Sequence, residues 1–225
     1  MTRRGKNRRL YSLARMALER YDLEVRRLEL AGQYTNTIFR LRTDGGPGYA
    51  LRLCSPGWRT ETDLRSEIAW LTALARDTDI GAPQPIPARD GETLLTLEWE
   101  GFPKPIHCLV MTWLPGIPLE KRLNETNLYK MGILFARMHE HGARFRPPPG
   151  FTARRMDRVC ARDEEEVLFG EGCRNAFPLQ SRRVFEHVQE RVDNAYAQMY
   201  ADPAGLRVIH HDLWHGNIKV HRGRL

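Results

Sequence analysis

One segment near the end of the 225-residue chain carries its clearest signal: Val208-Ile209-His210-His211-Asp212-Leu213-Trp214-His215-Gly216-Asn217-Ile218-Lys219-Val220. Apolar residues flank the segment at both ends, and such flanks usually anchor a loop in the core. The loop between them holds an acid and an amide at a fixed separation, Asp212 and Asn217. The pattern predicts a strand, then a loop that presents these two side chains, then a second strand.

An aspartate followed shortly by an asparagine is typical of sites that transfer phosphoryl groups. In such sites the carboxylate accepts the proton of the attacking hydroxyl, and the amide oxygen helps to hold magnesium on the nucleotide phosphates. The spacing of Asp212 and Asn217 equals that in the catalytic loop of protein kinases. Phosphoryl transfer is therefore a hypothesis that the rest of the chain can test.

The composition is that of an ordinary soluble globular protein, with 41% hydrophobic and 28% charged residues. No apolar run approaches the roughly 20 residues of a membrane helix, and the basic N-terminus lacks the apolar region of a secretory signal. The 4 cysteines are scattered without a CxxC pair. Such spacing is typical of reduced thiols, so we expect a cytoplasmic protein without a membrane partner.

The net charge of +7 makes a nucleic-acid partner worth weighing. The arginines are spread along the chain, however, and residues 3–9 form the one dense basic cluster. A spread excess of arginine fits an anionic nucleotide substrate, or simple solubility, equally well. We therefore expect no nucleic-acid partner.

The first half of the chain alternates between strand and helix patterns. Residues 10–21 carry an apolar stripe at helical spacing, and alternating runs predict strands at 25–30, 37–42, 49–53, 92–99 and 106–113. A second helix starts near Thr60 or Thr62, either of which can act as N-cap, and continues to about residue 76. The turn at 32–36, with Gly32 and Asn36, can present backbone N–H groups to phosphates, although the same residues also suit an ordinary hairpin turn.

Arg52 lies between Leu51 and Leu53 in the third predicted strand, so it points to the face opposite them. On the helix that follows, Glu67 stands beside Ile68 at the edge of the apolar stripe. A strand cation paired with a helix carboxylate holds charge against nucleotide phosphates in phosphotransferases. A solvated strand arginine is the alternative interpretation of Arg52.

The best candidate boundary follows the strand at 106–113. Before it the pattern is mostly strand with one major helix, and after it mostly helix, at 125–141 and 181–200. We therefore predict an N-terminal lobe at 1–114 and a helical lobe at 115–225. His139 and His141 would be charges favoured by a helix C-terminus, and the acidic run at 163–166 would begin a short helix.

With these pieces in order, the chain resembles the aminoglycoside phosphotransferase family, which also includes homoserine, choline and fructosamine kinases. The resemblance rests on residues 210–217, against a family pattern near H-G-D-x-x-x-x-N, and on residues 49–53 and 111–116. It implies an α+β, two-lobed, protein-kinase-like fold. The N-terminal lobe would be a small antiparallel sheet with one major helix, and the mostly helical C-terminal lobe would be incomplete.

The resemblance also implies roles for individual residues. The catalytic and phosphate-holding groups would be Asp212 as base, Asn217 as magnesium ligand, His210 as the residue that orients the loop, Arg52 as the phosphate-holding cation and Glu67 as its partner. The cofactors would be ATP and Mg2+. Gly32 and Asn36 would line the phosphate loop, and the crossover after the last strand, with Met111 and Trp113, would contact the base.

Two departures from the family pattern stand out. His211 occupies a position that is usually glycine, where a bulkier side chain could crowd the loop. The family's second metal-binding aspartate, which follows a short hairpin after the catalytic loop, does not occur before Leu225. The resemblance therefore implies a C-terminally truncated member with impaired activity.

Two alternatives remain open at this stage. His210, His211, Asp212 and His215 form a ligand-rich cluster that would also suit a zinc-dependent hydrolase, although no glutamate lies between the histidines to act as base. The other alternative is a kinase-like domain that binds nucleotide without transferring phosphate. The acceptor of a phosphotransferase would be a small hydroxylated molecule such as an aminoglycoside, homoserine or a choline-like alcohol. Neither its identity nor the oligomeric state follows from the sequence.

Overall fold

The computed structural model describes residues 3–46, 48–99, 104–153, 155, 157 and 178–225. The acidic run predicted to begin a helix at 163–166 lies outside these residues. The chain divides into two compact units, residues 1–152 with 209–225 and residues 153–208. The lobe boundary predicted after residue 114 stays a prediction. None of the helices in the described ranges is long and apolar enough to cross a membrane.

An antiparallel sheet covered by one helix forms the start of the first unit. The sheet runs in the order β1 (Val25–Gln33), β2 (Thr37–Thr43), β3 (Tyr49–Leu53), β6 (Ile106–Thr112) and β4 (Pro85–Ile86), and β5 (Leu95–Leu97) also pairs with β6. Helix α1 (Arg3–Leu18) packs on the face where Phe39 and Leu41 point inward, both fully buried. The apolar stripe predicted for residues 10–21 is the surface that α1 buries.

Helix α2 (Glu61–Asp77) begins at one of the two N-caps that the sequence allowed. The hydroxyl of Thr60 accepts from the Asp63 N–H at 3.1 Å, and the Asp63 carboxylate accepts from the Thr60 N–H at 3.0 Å. This reciprocal pair is a capping box, which satisfies two N–H groups left free at a helix start. The cap fixes where the helix begins and therefore where Glu67 stands.

The rest of the first unit consists of a helix and a two-stranded sheet. Strand β7 (Ile117–Pro118) leads into α3 (Glu125–Arg144), and β8 (Lys219–Val220), near the end of the chain, pairs antiparallel with β7. Short 3-10 turns cover Leu119–Arg122 and His215–Asn217. The pairing of β7 with β8 brings the end of the segment 208–220, called the catalytic segment below, back to the crossover that follows β6.

The second unit contains helix α4 (Leu179–Ala201) and the 3-10 turn Pro203–Gly205. The hydroxyl of Tyr200 donates to Asp157 at 2.6 Å, and the guanidinium of Arg155 lies 4.7 Å from the centre of the Tyr200 ring. None of the residues of α4 is buried. Its predicted apolar stripe is therefore present as a pattern but is not packed into a core.

The prediction that apolar flanks anchor both ends of the catalytic segment is half wrong. Ile218 is 4% exposed and packed, but Ile209 is 47% exposed, and the residues around it form no strand. The difference follows from pairing, since β8 finds β7 as a partner and no described strand pairs with residues 208–209. The predicted strand at 92–99 is also shorter, because pairing with β6 extends over Leu95–Leu97 alone.

His141, for which the sequence suggested a charge at a helix C-terminus, is a buried residue that connects two helices. It is 7% exposed. The indole Nε1–H of Trp70 donates to its Nδ1 at 3.2 Å, so its proton lies on Nε2, which donates to Asp77 at 3.1 Å. The imidazole therefore connects α3 to α2, the helix that carries Glu67. His139, near the same end of α3, is exposed.

Candidate active site

Strand β3 and helix α2 bring Arg52 and Glu67 together in a bidentate ion pair. Arg52 Nη1 donates to one Glu67 oxygen at 2.7 Å, and Nη2 donates to the other at 3.0 Å. The Arg52 side chain is 12% exposed and the Glu67 side chain 31%. Leu51 and Leu53 point into the core on the opposite face, so strand alternation directs Arg52 toward α2. The structure therefore contains the partnership that the sequence pattern suggested.

Both members of this pair are charged. Desolvation by burial opposes the charge on each side chain, but their mutual attraction and hydrogen bonds outweigh it. The pKa of Arg52 is raised and that of Glu67 is lowered. The Nε of Arg52 is buried without a hydrogen-bond partner, with the Cys54 thiol nearby. Glu67 thus occupies one edge of the guanidinium, and the buried Nε lies beside the Cys54 thiol.

The catalytic segment folds so that its acid and its amide touch. Asn217 Nδ2 donates to the main-chain oxygen of Asp212 at 2.8 Å and to its carboxylate Oδ2 at 2.9 Å. Two backbone hydrogen bonds shape the turn, from Trp214 N–H to Asp212 O at 3.2 Å and from Asn217 N–H to Trp214 O at 2.9 Å. Because Nδ2 faces Asp212, the Asn217 Oδ1 points away from the carboxylate.

His210 connects this loop to the ion pair. Its Nδ1 accepts from the Asp212 N–H at 3.3 Å, which orients the backbone of the loop. Although the residue as a whole is exposed, desolvation of the ring lowers the pKa of His210, and the carboxylates of Asp212 and Glu67 act in the opposite direction. The imidazole also lowers the pKa of Glu67, together with the nearby Arg59. The loop and the Arg52–Glu67 pair therefore lie within electrostatic range of each other.

His211 has the left-handed backbone that glycine adopts without cost, with φ at +64°. Its side chain is exposed, so the expected crowding of the loop is wrong. The physical consequence of a histidine at this position is backbone strain and not a side-chain clash.

The crossover that follows β6 contains an aromatic ring between two cations. The ring centre of Trp113 lies 4.7 Å from the Arg40 guanidinium carbon and 4.1 Å from the Lys219 ammonium. Lys219 Nζ also donates to the main-chain oxygen of Leu114 at 2.7 Å. Desolvation, and then the charge of Arg40, lower the pKa of Lys219. The sequence predicted a role here for Met111, which is 8% exposed, and for Trp113, but not for Lys219. A cation between Ile218 and Val220 was the signal that could have revealed it.

Residues 116–119 hold the end of the catalytic segment against this crossover. The Leu119 N–H donates to the Ile218 oxygen at 2.8 Å, and Ile117 pairs with Val220. Gly116 has a φ of +105°, and a Cβ built there would lie 2.4 Å from the Val220 oxygen. The close approach of the two backbones therefore requires glycine.

The predicted phosphate loop is smaller than expected. Gly32 belongs to β1 and pairs with Ile38, next to a register shift after Leu30, so the turn narrows to residues 34–36. The Tyr34 N–H donates to the Asn36 oxygen at 3.0 Å, and the Tyr34 side chain is 94% exposed. Gly32 therefore lies at the end of a strand, and Asn36 ends the turn.

The ligand-rich cluster behind the hydrolase alternative does not converge. Among the described residues, which include 210–215, no group of three or more histidine, cysteine, aspartate or glutamate side chains is arranged to hold a metal ion.

Comparison with known proteins identifies the class to which this fold and site belong. Residues 27–225 match the family model described as the Phosphotransferase enzyme family, and the chain belongs to that family. The match confirms the family predicted from the catalytic loop.

Individual relatives agree with this assignment. An uncharacterized protein of Synechocystis sp. is 25% identical over 138 residues, which are 61% of this chain and 37% of that protein. The solved structure of a microcompartment-associated aminopropanol kinase is similar with a TM-score of 0.54 and 27% identity, over 64% of this chain and 44% of that one.

An amicoumacin kinase, solved with AMP-PNP, Ca2+ and Ami, is similar over 100% of this chain and 64% of its own, with a TM-score of 0.68 and 18% identity. This likeness confirms the predicted α+β, kinase-like fold. The chain spans less than two thirds of each of these three proteins, at 37%, 44% and 64% of their lengths.

Proposed function

We propose that this protein transfers the γ-phosphoryl group of ATP to a hydroxyl group of a small molecule, such as an aminoglycoside, homoserine or a choline-like alcohol. One observation carries the proposal: a charged Arg52–Glu67 pair and a hydrogen-bonded Asp212–Asn217 pair occupy one compact unit, with His210 adjacent to both. Membership of the phosphotransferase family supports it, as does the nucleotide analogue bound by the similar amicoumacin kinase.

Each residue would have a distinct task. Asp212 would accept the proton of the acceptor hydroxyl, since one carboxylate oxygen binds Asn217 and the other is not used by any described hydrogen bond. Arg52 would present its positive charge to the phosphates, because its two hydrogen bonds to Glu67 hold the guanidinium in place. His210 would position the loop through its hydrogen bond to the Asp212 N–H.

The residues present also fit a divalent cation. Asn217 would be the ligand, because its Nδ2 is engaged with Asp212 and its Oδ1 remains available. Magnesium, when bound, neutralises charge on the transferring phosphates. Magnesium prefers near-octahedral oxygen coordination, and one amide oxygen supplies only part of it. We therefore propose that these 225 residues by themselves transfer phosphate slowly.

The base of the nucleotide would lie at the crossover after β6. Leu114 is the first residue there whose backbone groups are not used by the sheet, since Thr112 N–H donates to Gln84 and Trp113 N–H to Gly48, both at 2.9 Å. Gly32 and Asn36 would lie near the phosphates. A cytoplasmic location belongs to the same proposal, and it accords with the free thiols of Cys54 and Cys108.

The test is a turnover assay on the purified chain with magnesium and ATP, against a panel of small hydroxylated acceptors. We expect slow transfer that falls about 10²- to 10⁴-fold in Asp212→Asn, the range that general bases contribute. Asp90→Asn is the control, because Asp90 is an exposed carboxylate that pairs with Arg20.

Three results would change the conclusion. Fast, Asp212-dependent transfer would contradict the proposed slowness. Nucleotide binding without any transfer would favour the non-catalytic alternative, in which the domain binds nucleotide only. If the chain shows neither nucleotide binding nor transfer, phosphotransferase function is rejected for this chain.

A further inference from the structure

We infer that Lys219 and Leu114 form a base-recognition element that admits guanine, so that the site binds GTP at least as tightly as ATP. This inference rests on the proposed function, because it assumes that a nucleotide base reaches the crossover after β6. It adds a specificity-determining residue, Lys219, and a second nucleotide.

The geometry of the crossover places two hydrogen-bond donors side by side. The Leu114 N–H has no described partner, whereas the N–H groups of the two residues before it are used by Gln84 and Gly48. Lys219 Nζ lies 2.7 Å from the oxygen of the same residue, Leu114, and has two further N–H groups to offer. Pro115 favours an extended conformation at Leu114, which keeps these groups outside the sheet.

The electrostatics of the crossover also favour an acceptor. Arg40 and Lys219 lie against the Trp113 ring, and neither forms an ion pair with a carboxylate in the described part of the chain. The Arg40 Nε is buried without a hydrogen-bond partner. Glu29, the cross-strand partner of Arg40, is paired with other arginines, so the crossover keeps a net positive charge. A strongly polar oxygen on a ligand would be stabilised there, whereas an amino group would be repelled.

Purine bases differ in the pattern that such a pair of donors reads. Guanine presents two adjacent acceptors, O6 and N7, whereas adenine presents the acceptor N7 beside the donor N6 amine. Two neighbouring donors, one of them cationic, match the guanine edge at both positions and the adenine edge at one. The Leu114 oxygen keeps a second lone pair, so adenine is still accommodated, but the preference moves toward guanine.

The experiment compares two fluorescent nucleotides, mant-GTP and mant-ATP, which differ only in the base. Their dissociation constants are measured with magnesium on the full 225-residue chain, on Lys219→Met and on Lys219→Arg. Methionine keeps an unbranched apolar side chain beside Trp113 but has no charge or donor. Arginine keeps both. Lys130→Met is the matched control, because Lys130 also donates its ammonium to a main-chain oxygen, that of Gly223 at 2.7 Å.

We expect the unmodified chain and Lys130→Met to bind mant-GTP at least as tightly as mant-ATP. In Lys219→Met the ratio of the two dissociation constants should move toward mant-ATP by about fivefold or more, the lower end of discrimination by a two-point base contact. Lys219→Arg should restore the ratio of the unmodified chain. A thermal melt checks that each variant is folded.

Two results overturn the inference alone: a dissociation constant that is weaker for mant-GTP than for mant-ATP in the unmodified chain, or an unchanged ratio of the two constants in a folded Lys219→Met. The first needs no variant. If the unmodified chain binds neither nucleotide, the proposed function fails, and the inference fails with it.

Discussion

The side-chain amide of Asn217 holds Asp212 by two atoms at once, its main-chain oxygen at 2.8 Å and its carboxylate at 2.9 Å. The amide therefore has two effects that can be separated. It fixes the rotamer of the carboxylate by donation from Nδ2, and it leaves its own oxygen pointing away from Asp212, as the proposed magnesium ligand.

Replacing Asn217 by alanine should weaken magnesium use far more than stability. The two lost hydrogen bonds are exposed, so the free energy of unfolding should fall by about 1 kcal/mol. The magnesium concentration for half-maximal transfer should rise at least about tenfold, since even outer-shell changes cost this much. A magnesium titration of the rate beside a thermal melt measures both effects.

Asn127→Ala is the control for this change, because Asn127 Nδ2 donates to the Arg122 oxygen at 2.7 Å without touching the catalytic loop. Its magnesium dependence should be unchanged. An equal magnesium effect in both variants would contradict the role of Asn217 as ligand.

Glu67→Gln should destabilise the chain and flatten the acid side of its stability profile. The pKa of Glu67 is lower in the folded chain, so its contribution is complete above the unfolded value, about 4.3, and is lost as the pH falls through the folded value. At neutral pH the loss should be about 2 kcal/mol, below the roughly 3–5 of fully buried pairs. The free energy of unfolding is measured by urea melts at about one-unit intervals between about pH 3 and 7.

Glu61→Gln serves as control on the same helix, since Glu61 pairs with Arg65 at a half-exposed site and such pairs contribute little. If Glu67→Gln were no more destabilising than Glu61→Gln, the Arg52–Glu67 pair would not stabilise the fold.

His211→Gly should stabilise the chain. Glycine removes the strain of a left-handed residue, roughly 1–2 kcal/mol, but adds freedom to the unfolded chain worth roughly 0.5–1 kcal/mol. A net gain of about 0.5–1 kcal/mol in the free energy of unfolding is therefore expected, seen as a higher melting temperature. His221→Gly, at a position without a positive φ, should lower the melting temperature instead. A lower melting temperature for His211→Gly would show that the loop does not keep this backbone conformation.

Two glycine-to-alanine changes should have opposite signs. At Gly116 the new Cβ would meet the backbone oxygen of Val220 at 2.4 Å with φ at +105°, and no side-chain rotation relieves a backbone clash. We expect a loss of about 3 kcal/mol or more. At Gly132, inside α3, a Cβ meets nothing within 4 Å, so alanine should stabilise by roughly 0.5–1 kcal/mol. Denaturant melts of the two variants measure the free energy of unfolding. Comparable losses at both positions would argue against the close contact of Gly116 with β8.

Several features of this protein follow from residues that are close in the chain. Strand alternation over Tyr49–Leu53 directs Arg52 away from the core, and the cap at Thr60 sets the start of α2 and the position of Glu67. The resemblance to the family rests chiefly on the catalytic loop that contains Asp212 and Asn217. These signals are readable because periodicity, capping and loop spacing depend on local backbone geometry.

Other features depend on pairing between distant segments, which local patterns do not encode. Ile209 and Ile218 are both apolar, yet only Ile218 is buried, because β8 finds β7. His141 shows the same limit, since its partners Trp70 and Asp77 lie on another helix. The contact of Lys219 with Leu114 spans 105 positions in the chain. The sequence determined the elements and the catalytic loop, but only packing decided that a lysine would lie beside the candidate base site.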